Sequence, residues 1–226
     1  MGISLDKKVD LVKQVLVARN VPDAFKLQVK SCIDISGSMA GMFRDGTVQE
    51  LVDRLLAVAV RFDDNQSIES YAFGSGALQL SDIKPSMFGS YVDSEFLPEA
   101  GQSRFLWTGT SYASALKLVM KDGAGGKGFF GFGKKTPQPT YLMFITDGDT
   151  SDEAESEKLL AEFAAQNTYV QLIGIGRGSS FRFLDKMGER YDHVGFVTFP
   201  NLGDMTDEQL YNQLLTTELA DWIRSR

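Results

Sequence analysis

The sequence predicts a doubly wound α/β domain with a mainly parallel sheet, one antiparallel edge strand and helices on both faces. Three observations indicate this class. Short apolar segments rich in β-branched residues alternate along the chain with amphipathic helical patterns. Segments 140–148 and 168–176 are almost wholly apolar, which is typical of strands buried on both faces. A Gly-Ser-Gly turn at 74–76 lies between two strand patterns, which indicates a hairpin and therefore an antiparallel edge strand.

Each predicted helix has apolar residues at helical spacing, and two of them also have start signals. Asp45-Gly46-Thr47 supplies a turn and a cap before the helical pattern VQELVDRLLAVAVRF. Thr150 and Glu153 have the spacing of a capping box for the next helix. The predicted strands are 27–35, 67–74, 77–83, 140–148, 168–176 and 193–199. The predicted helices are an N-terminal one ending near residue 20, then 47–62, 111–120, 151–166, 181–187 and 206–223.

Length and composition predict a single globular domain over residues 1–226. Residues 1–25 are expected to form a helical extension, and 122–139 a glycine-rich loop insertion. A net charge of −7 argues against sequence-independent binding to nucleic acid or to an anionic membrane. The N-terminus lacks the apolar segment of a signal peptide, and no apolar run is long enough to span a bilayer. We therefore expect a cytoplasmic protein, and the single cysteine, Cys32, is expected to be a buried core residue.

Polar oxygen-bearing side chains follow two of the buried strands. Asp34 ends the strand at 27–35, and Ser36 and Ser38 lie in the turn after it, in the stretch CIDISGSM. Asp147 occupies the equivalent place after the strand at 140–148. Because ligands of parallel sheets collect beyond the carboxyl ends of the strands, we expect these side chains to meet at one edge.

A third segment, LWTGTSYASAL, places Thr108 and Thr110 in a glycine-containing turn just before a helix. Two carboxylates and several neutral hydroxyls form an oxygen-only donor set, which suits a hard divalent cation such as Mg²⁺. With at most two negative charges from the protein, the cation stays attractive to a carboxylate brought by a partner. Either threonine has the right place in the turn.

These residues carry a family resemblance. DISGSM resembles the Asp-x-Ser-x-Ser start of the metal-ion-dependent adhesion site of von Willebrand factor type A domains. TGTSYASAL resembles the threonine turn of that family, with Thr108 in place of its first glycine, and ITDG resembles its third element. The resemblance implies metal ligation, direct or through water, by Asp34, Ser36, Ser38, Thr110 and Asp147, with Thr110 preferred over Thr108.

A closer resemblance covers nearly the whole chain. The stretches ITDGDTSD, LIGIG and LYNQLLTTEL, together with residues 46–77, are similar to type A domain proteins of bacterial tellurium-resistance and stress-response systems. This closer resemblance implies a cytoplasmic, stress-associated protein that binds Mg²⁺, or alternatively Mn²⁺ or Ca²⁺. The expected function is metal-dependent binding of a protein partner that supplies an Asp or Glu to the ion.

Two other functions remain open from the sequence. One is a metal-assisted phosphohydrolase, although DISGSM lacks the second aspartate of an Asp-x-Asp phosphatase motif. The other is a structural domain with a vestigial metal site. His193 is the only histidine, and it lies at the start of the last strand pattern, near the opposite edge of the sheet from Ser38. Ser38 also lacks the nucleophile-elbow pattern, because Ala40 stands in place of its second glycine. His193 is therefore expected to be structural or exposed, and the protein is expected not to be an enzyme.

The glycine-rich stretch GGKGFFGFGKKTP (125–137) contains the Gly-x-Gly-x-x-Gly spacing of dinucleotide sites and most of a P-loop. Both motifs need a strand before and a helix after, whereas here a helix pattern precedes and a strand pattern follows. We therefore interpret this stretch as an insertion rather than a nucleotide site. Its phenylalanines and lysines are alternatively a basic, aromatic patch for a partner.

Overall fold

The structure is a computed structural model that describes residues 4–124, 138–176 and 180–226. In this part of the chain, six strands form one sheet in the order β3-β2-β1-β4-β5-β6. Only the β2–β3 pair is antiparallel, and the other four pairs are parallel. The strands are β1 (Gln28–Asp34), β2 (Glu69–Phe73), β3 (Ala77–Gln79), β4 (Thr140–Thr146), β5 (Thr168–Ile175) and β6 (Val194–Phe199). The predicted fold class is confirmed.

Helices cover both faces of the sheet, as the alternating patterns predict. They are α1 (Leu5–Ala18), α2 (Ala40–Arg44), α3 (Thr47–Phe62), α4 (Leu97–Ala100), α5 (Tyr112–Ala124), α6 (Glu153–Glu162), α7 (Arg182–Arg190), α8 (Asp207–Leu214) and α9 (Thr217–Arg224). Apolar residues of α1, α3, α8 and α9 share one core cluster with one face of the strands. Those of α5, α6 and α7 pack against the other face, which includes Cys32.

Alternate residues of β1 therefore belong to different cores. Ile33 lies in the larger cluster with α3, whereas Cys32 lies in the smaller one with α5. Cys32 is fully buried, as predicted, and burial raises the pKa of its thiol above the usual range. Because β1 lies between β2 and β4, its carboxyl end is at the centre of the sheet edge, where loops from both sides can reach it.

The last helical pattern, predicted as one helix over 206–223, is two helices. Leu214 ends α8, and Thr216 caps α9 by accepting a hydrogen bond from the Leu219 amide at 3.2 Å. The predicted capping box at Thr150 and Glu153 is wrong. Thr150 donates to the Asp152 side chain at 2.6 Å instead, and α6 begins at Glu153 without a side-chain cap.

An ionic cluster joins α1, α3 and α8 on one side of the sheet. Asp207 accepts hydrogen bonds from Lys8 Nζ at 2.6 Å and from Arg54 Nε at 2.7 Å, and all three side chains are at least nine-tenths buried. Arg54 also contacts Glu50 at 3.0 Å. Burial opposes the ionisation of Asp207, but the hydrogen bonds from Lys8 and Arg54 outweigh it and lower the pKa of this carboxyl.

Two sequence expectations stay untested by the fold. The proposed insertion 122–139 lies mostly outside the described residues, as do both glycine motifs within it. The division into one domain with an extension at 1–25 stays a prediction, although α1 packs against α3 and α8. Among the described helices, none is both long and apolar enough to cross a membrane.

Candidate metal site

The turn after β1 is fixed by the carboxylate that ends the strand. Asp34 is fully buried, and its Oδ1 accepts a hydrogen bond from the Ser36 amide at 2.7 Å. This short loop orients the backbone so that Ser36 and Ser38 both reach the edge of the sheet. Ser36 is buried, whereas Ser38 is exposed to solvent.

A chain of hydroxyl contacts connects the ends of β1 and β4. Ser36 Oγ lies 3.1 Å from Ser38 Oγ, and Ser38 Oγ donates to Asp147 Oδ1 at 2.9 Å. Asp147 follows β4 directly and is half-buried. Two segments that are 109 residues apart in sequence therefore place their oxygen atoms side by side, as the strand-end spacing predicts.

Thr146 and Tyr112 form a layer beneath these oxygens. Thr146 Oγ1 donates to Asp34 Oδ2 at 2.6 Å, which ties the end of β4 to the end of β1. The Tyr112 hydroxyl donates to the Gly148 carbonyl and lies 3.2 Å from Thr146 Oγ1. Sequence reasoning missed both residues, and their only signal is that Thr146 precedes Asp147 and that Tyr112 begins the helix after the threonine turn.

The carboxylates at this edge lack a cationic partner among the described residues. Burial raises the pKa of Asp34 to about 6, although hydrogen bonds from Thr146 and Ser36 lower it in part. Burial also raises the pKa of Asp147, and the Ser38 hydrogen bond partly offsets this. Oδ1 of Asp149 is buried without a described hydrogen-bond partner. The edge therefore carries uncompensated negative charge.

The threonine turn is bonded directly to the turn after β1. The Trp107 amide donates to the Ile35 carbonyl at 2.8 Å, and the Gly37 amide donates to the Thr108 carbonyl at 3.1 Å. The Thr108 hydroxyl is already engaged, since it donates to the Phe105 carbonyl and accepts from the Ser75 amide.

Thr110 differs from Thr108 in this respect. Its hydroxyl makes no hydrogen bond with any described residue, and its carbonyl accepts from Thr150 Oγ1 at 3.3 Å. The hydroxyl of Thr110 is therefore the one left for a ligand, which favours the choice of Thr110 over Thr108 made from the family resemblance. Ligation by Thr110 stays a prediction, as it does for Asp34, Ser36, Ser38 and Asp147.

Gly74, at the end of β2, leaves space for the threonine turn. A Cβ atom at this position lies 2.3 Å from the Phe105 carbonyl oxygen and 2.6 Å from Thr108 Oγ1, closer than side chains approach. The Gly74 carbonyl also accepts from the Ser111 amide at 2.8 Å. This requirement for glycine is not visible in the sequence, because it depends on a segment about 30 residues further along the chain.

We expect Gly74→Ala to destabilise the protein by about 1–3 kcal/mol, since the turn must move to admit the methyl group. The measurement is the free energy of unfolding in urea. Gly41→Ala is the matched control, because a Cβ there meets no atom within 4 Å and Gly41 lies in α2. An equal effect of the two changes contradicts the close approach at Gly74.

The donor set fits a hard divalent cation. Asp34 and Asp147 supply two carboxylates, and serine and threonine supply neutral hydroxyls, all oxygen ligands of the kind that Mg²⁺ prefers. In the described residues no group of three or more His, Cys, Asp or Glu side chains is arranged to hold a metal. A cation held by these oxygens would offset the charge of Asp34 and Asp147, which have no cationic partner among the described residues.

Comparisons with solved structures support the fold. The chain aligns with proximal thread matrix protein 1 from the mussel byssus with a TM-score of 0.61 and 16% identity, over 85% of this chain and 48% of that one. It aligns with the Plasmodium vivax TRAP protein with a TM-score of 0.54 and 15% identity, over 76% and 68% of the two chains. This chain thus spans about half the length of the mussel protein. Among proteins known by sequence, YcbR of Bacillus subtilis (strain 168) is 29% identical over 98% of this chain and 86% of its own length.

The fold is that of a von Willebrand factor A domain. The model of the vWA-TerF-like family, described as the vWA domain found in the TerF C terminus, matches residues 26–226. The chain belongs to this family, and the family resemblance found in the sequence is confirmed.

Proposed function

We propose that the chain is a metal-dependent protein-binding module. In this proposal Asp34, Ser36, Ser38, Thr110 and Asp147 hold a divalent cation, and a partner protein completes its coordination with an Asp or Glu. The observation that carries the proposal is the Ser36–Ser38–Asp147 chain of contacts, which joins two strand ends next to carboxylates without a cationic partner. The bound ion supplies a positive charge and a coordination position for the incoming carboxylate.

Metal-bearing relatives of the fold support this choice. The mussel protein has a zinc-occupied MIDAS motif, and the Plasmodium protein is manganese-loaded. We propose Mg²⁺ for this chain, with Mn²⁺ or Ca²⁺ as alternatives, because hydroxyl and carboxylate oxygens are hard ligands. We further propose a role in a tellurite-resistance or stress-response system in the cytoplasm, and the TerF association of the family supports the tellurite-resistance setting.

We propose bridging rather than catalysis. His193 precedes β6 at the opposite edge of the sheet and is bonded through Nε2 to the Leu160 carbonyl at 2.9 Å, so it is a buried structural residue. Burial raises the pKa of the Tyr112 phenol beneath the proposed ligands, so this hydroxyl stays protonated and is unsuited to act as a general base at neutral pH. Among the described residues no observation favours a phosphohydrolase.

The function is tested by capturing partners from a lysate of the source organism on immobilised protein. We expect a partner that is retained in Mg²⁺, released by EDTA and absent with Asp34→Ala, because this change removes the carboxylate that orders the turn. Asp192→Ala, at the opposite edge, is the charge-matched control and should retain the partner. Binding that is unaffected by both EDTA and Asp34→Ala contradicts the proposal. Mg²⁺-dependent phosphatase activity that Asp34→Ala abolishes would indicate an enzyme instead.

A further inference from the structure

Trp107 is an exposed aromatic residue on the turn that borders the candidate metal site. In the described part of the chain, Val17 and Trp107 are the exposed large hydrophobic residues, and Trp107 is 40% exposed. Its amide is bonded to the Ile35 carbonyl, one residue before Ser36. Trp107 and Thr110 are three residues apart, a separation of at most ~11 Å along the chain. The indole thus lies on the same rim as the proposed ligands.

The backbone of Trp107 is held in an unfavourable conformation. Its φ is +58°, in the left-handed region, and this conformation costs a residue with a Cβ atom about 1–2 kcal/mol of conformational energy. The other described non-glycine residues with positive φ are Asn20, Gln66 and Asn167, and asparagine tolerates this region. A bulky tryptophan kept in such a conformation beside a ligand site indicates a role in binding, since strain of this kind persists where function needs it.

Contacts beneath the indole fix its position without covering it. The ring of Trp107 meets Phe43 edge-on, with centroids 5.4 Å apart, and Phe43 in turn stacks on Phe96 at 5.4 Å. Phe43 and Phe96 are buried, so they form a rigid support. A preorganised tryptophan that projects from a rigid base is typical of interface residues that contribute most of the binding energy.

We propose that Trp107 anchors the partner of the metal site by contacting an apolar side chain within about two residues of the metal-binding carboxylate. This inference rests on the proposed function and adds the partner's recognition sequence to it. An extended segment advances about 3.3 Å per residue, so one short segment can reach both the ion and the indole. The site is acidic and the chain carries a net charge of −7, which favours an apolar neighbour over a second acidic one.

The experiment selects binders from a random peptide library on the immobilised chain in Mg²⁺ and elutes them with EDTA. We expect an acidic residue with an aliphatic or aromatic residue within two positions of it. An EDTA-sensitive consensus that is acidic but lacks the apolar residue overturns the role of Trp107 and leaves the proposed function intact. An absence of EDTA-sensitive peptides overturns the proposed function together with this inference.

Affinities of one selected peptide then test the residue itself. Trp107→Ala is expected to raise its Kd at least about tenfold, the effect of an interface hot spot. Trp107→Asn, which accommodates the positive φ, is expected to raise the peptide Kd as much as Trp107→Ala does. It should still show the rise in melting temperature with Mg²⁺. Val17→Ala, at the other exposed hydrophobic residue, is the control and should change the Kd less than about twofold, as a contact outside the interface does. Unchanged affinity in both Trp107 variants contradicts the inference.

Discussion

Mg²⁺ at about 100 times its Kd is expected to raise the free energy of unfolding by about 2.7 kcal/mol, and Asp147→Ala is expected to abolish this gain. The reason is that Asp147 is one of two carboxylates at the site and the partner of Ser38 across the strand ends. The measurement is urea unfolding of the wild-type and variant proteins, each in EDTA and in Mg²⁺. Repeating it with Mn²⁺ and Ca²⁺ ranks the three candidate ions.

The comparison in EDTA separates loss of the ion from damage to the fold. Burial raises the pKa of Asp147, so its ionised form is less stable in the folded, metal-free protein than in the unfolded chain. Asp147→Ala should therefore leave the stability in EDTA nearly unchanged. Asp192→Ala, an exposed carboxylate at the other edge, should keep the full gain with Mg²⁺. A gain that survives in Asp147→Ala removes this residue from the site.

Asp207→Ala is expected to destabilise the protein by about 3–5 kcal/mol, the effect of breaking a buried ion pair. The change leaves the buried cations of Lys8 and Arg54 without their shared carboxylate, although Arg54 keeps its contact with Glu50. The measurement is the free energy of unfolding at pH 7. Asp221→Ala breaks an exposed pair with Arg224 and should cost less than about 1 kcal/mol.

The pH dependence gives an independent check of this cluster. The pKa of Asp207 is lower in the folded protein than in the unfolded chain, so its stabilisation is present above the unfolded pKa near 4. It is lost as the pH falls through the folded pKa. Wild-type stability should therefore converge with that of Asp207→Ala in acid. A difference between the two proteins that persists at pH 2 contradicts the role assigned to this carboxylate.

The sequence predicted the sheet because its signals are local. Apolar runs at 140–148 and 168–176 correspond to β4 and β5, whose burial on both faces removes the need for polar alternation. Asp34 and Asp147 could be placed because they end such runs. Residues 85–100, which contain α4 and the helical turn before it, had no assignment because their apolar residues lack a sustained period.

Other features depend on contacts between distant segments and had no local signal. Asp152 accepts hydrogen bonds from Ser111, Thr150 and Ser156, and this network replaced the predicted capping box. The role of Gly74 depends on the turn at 105–110, so in both cases a tertiary contact decides the local structure. The break before α9 has a different cause, because its cap is a local bond from the Leu219 amide to Thr216 within an otherwise continuous apolar pattern.

The hydroxyl chain at the strand ends also has a kinetic consequence. Ser38 already contacts both Ser36 and Asp147, and backbone bonds attach the Thr108 turn to the turn after β1. Capture of an ion then requires little reordering of the polypeptide, so the slow step becomes the removal of water from the incoming ion. Mg²⁺ releases its hydration shell reluctantly, so the chain should bind Ca²⁺ or Mn²⁺ faster than it binds Mg²⁺. This order of association rates is expected even if Mg²⁺ is the ion bound most tightly at equilibrium.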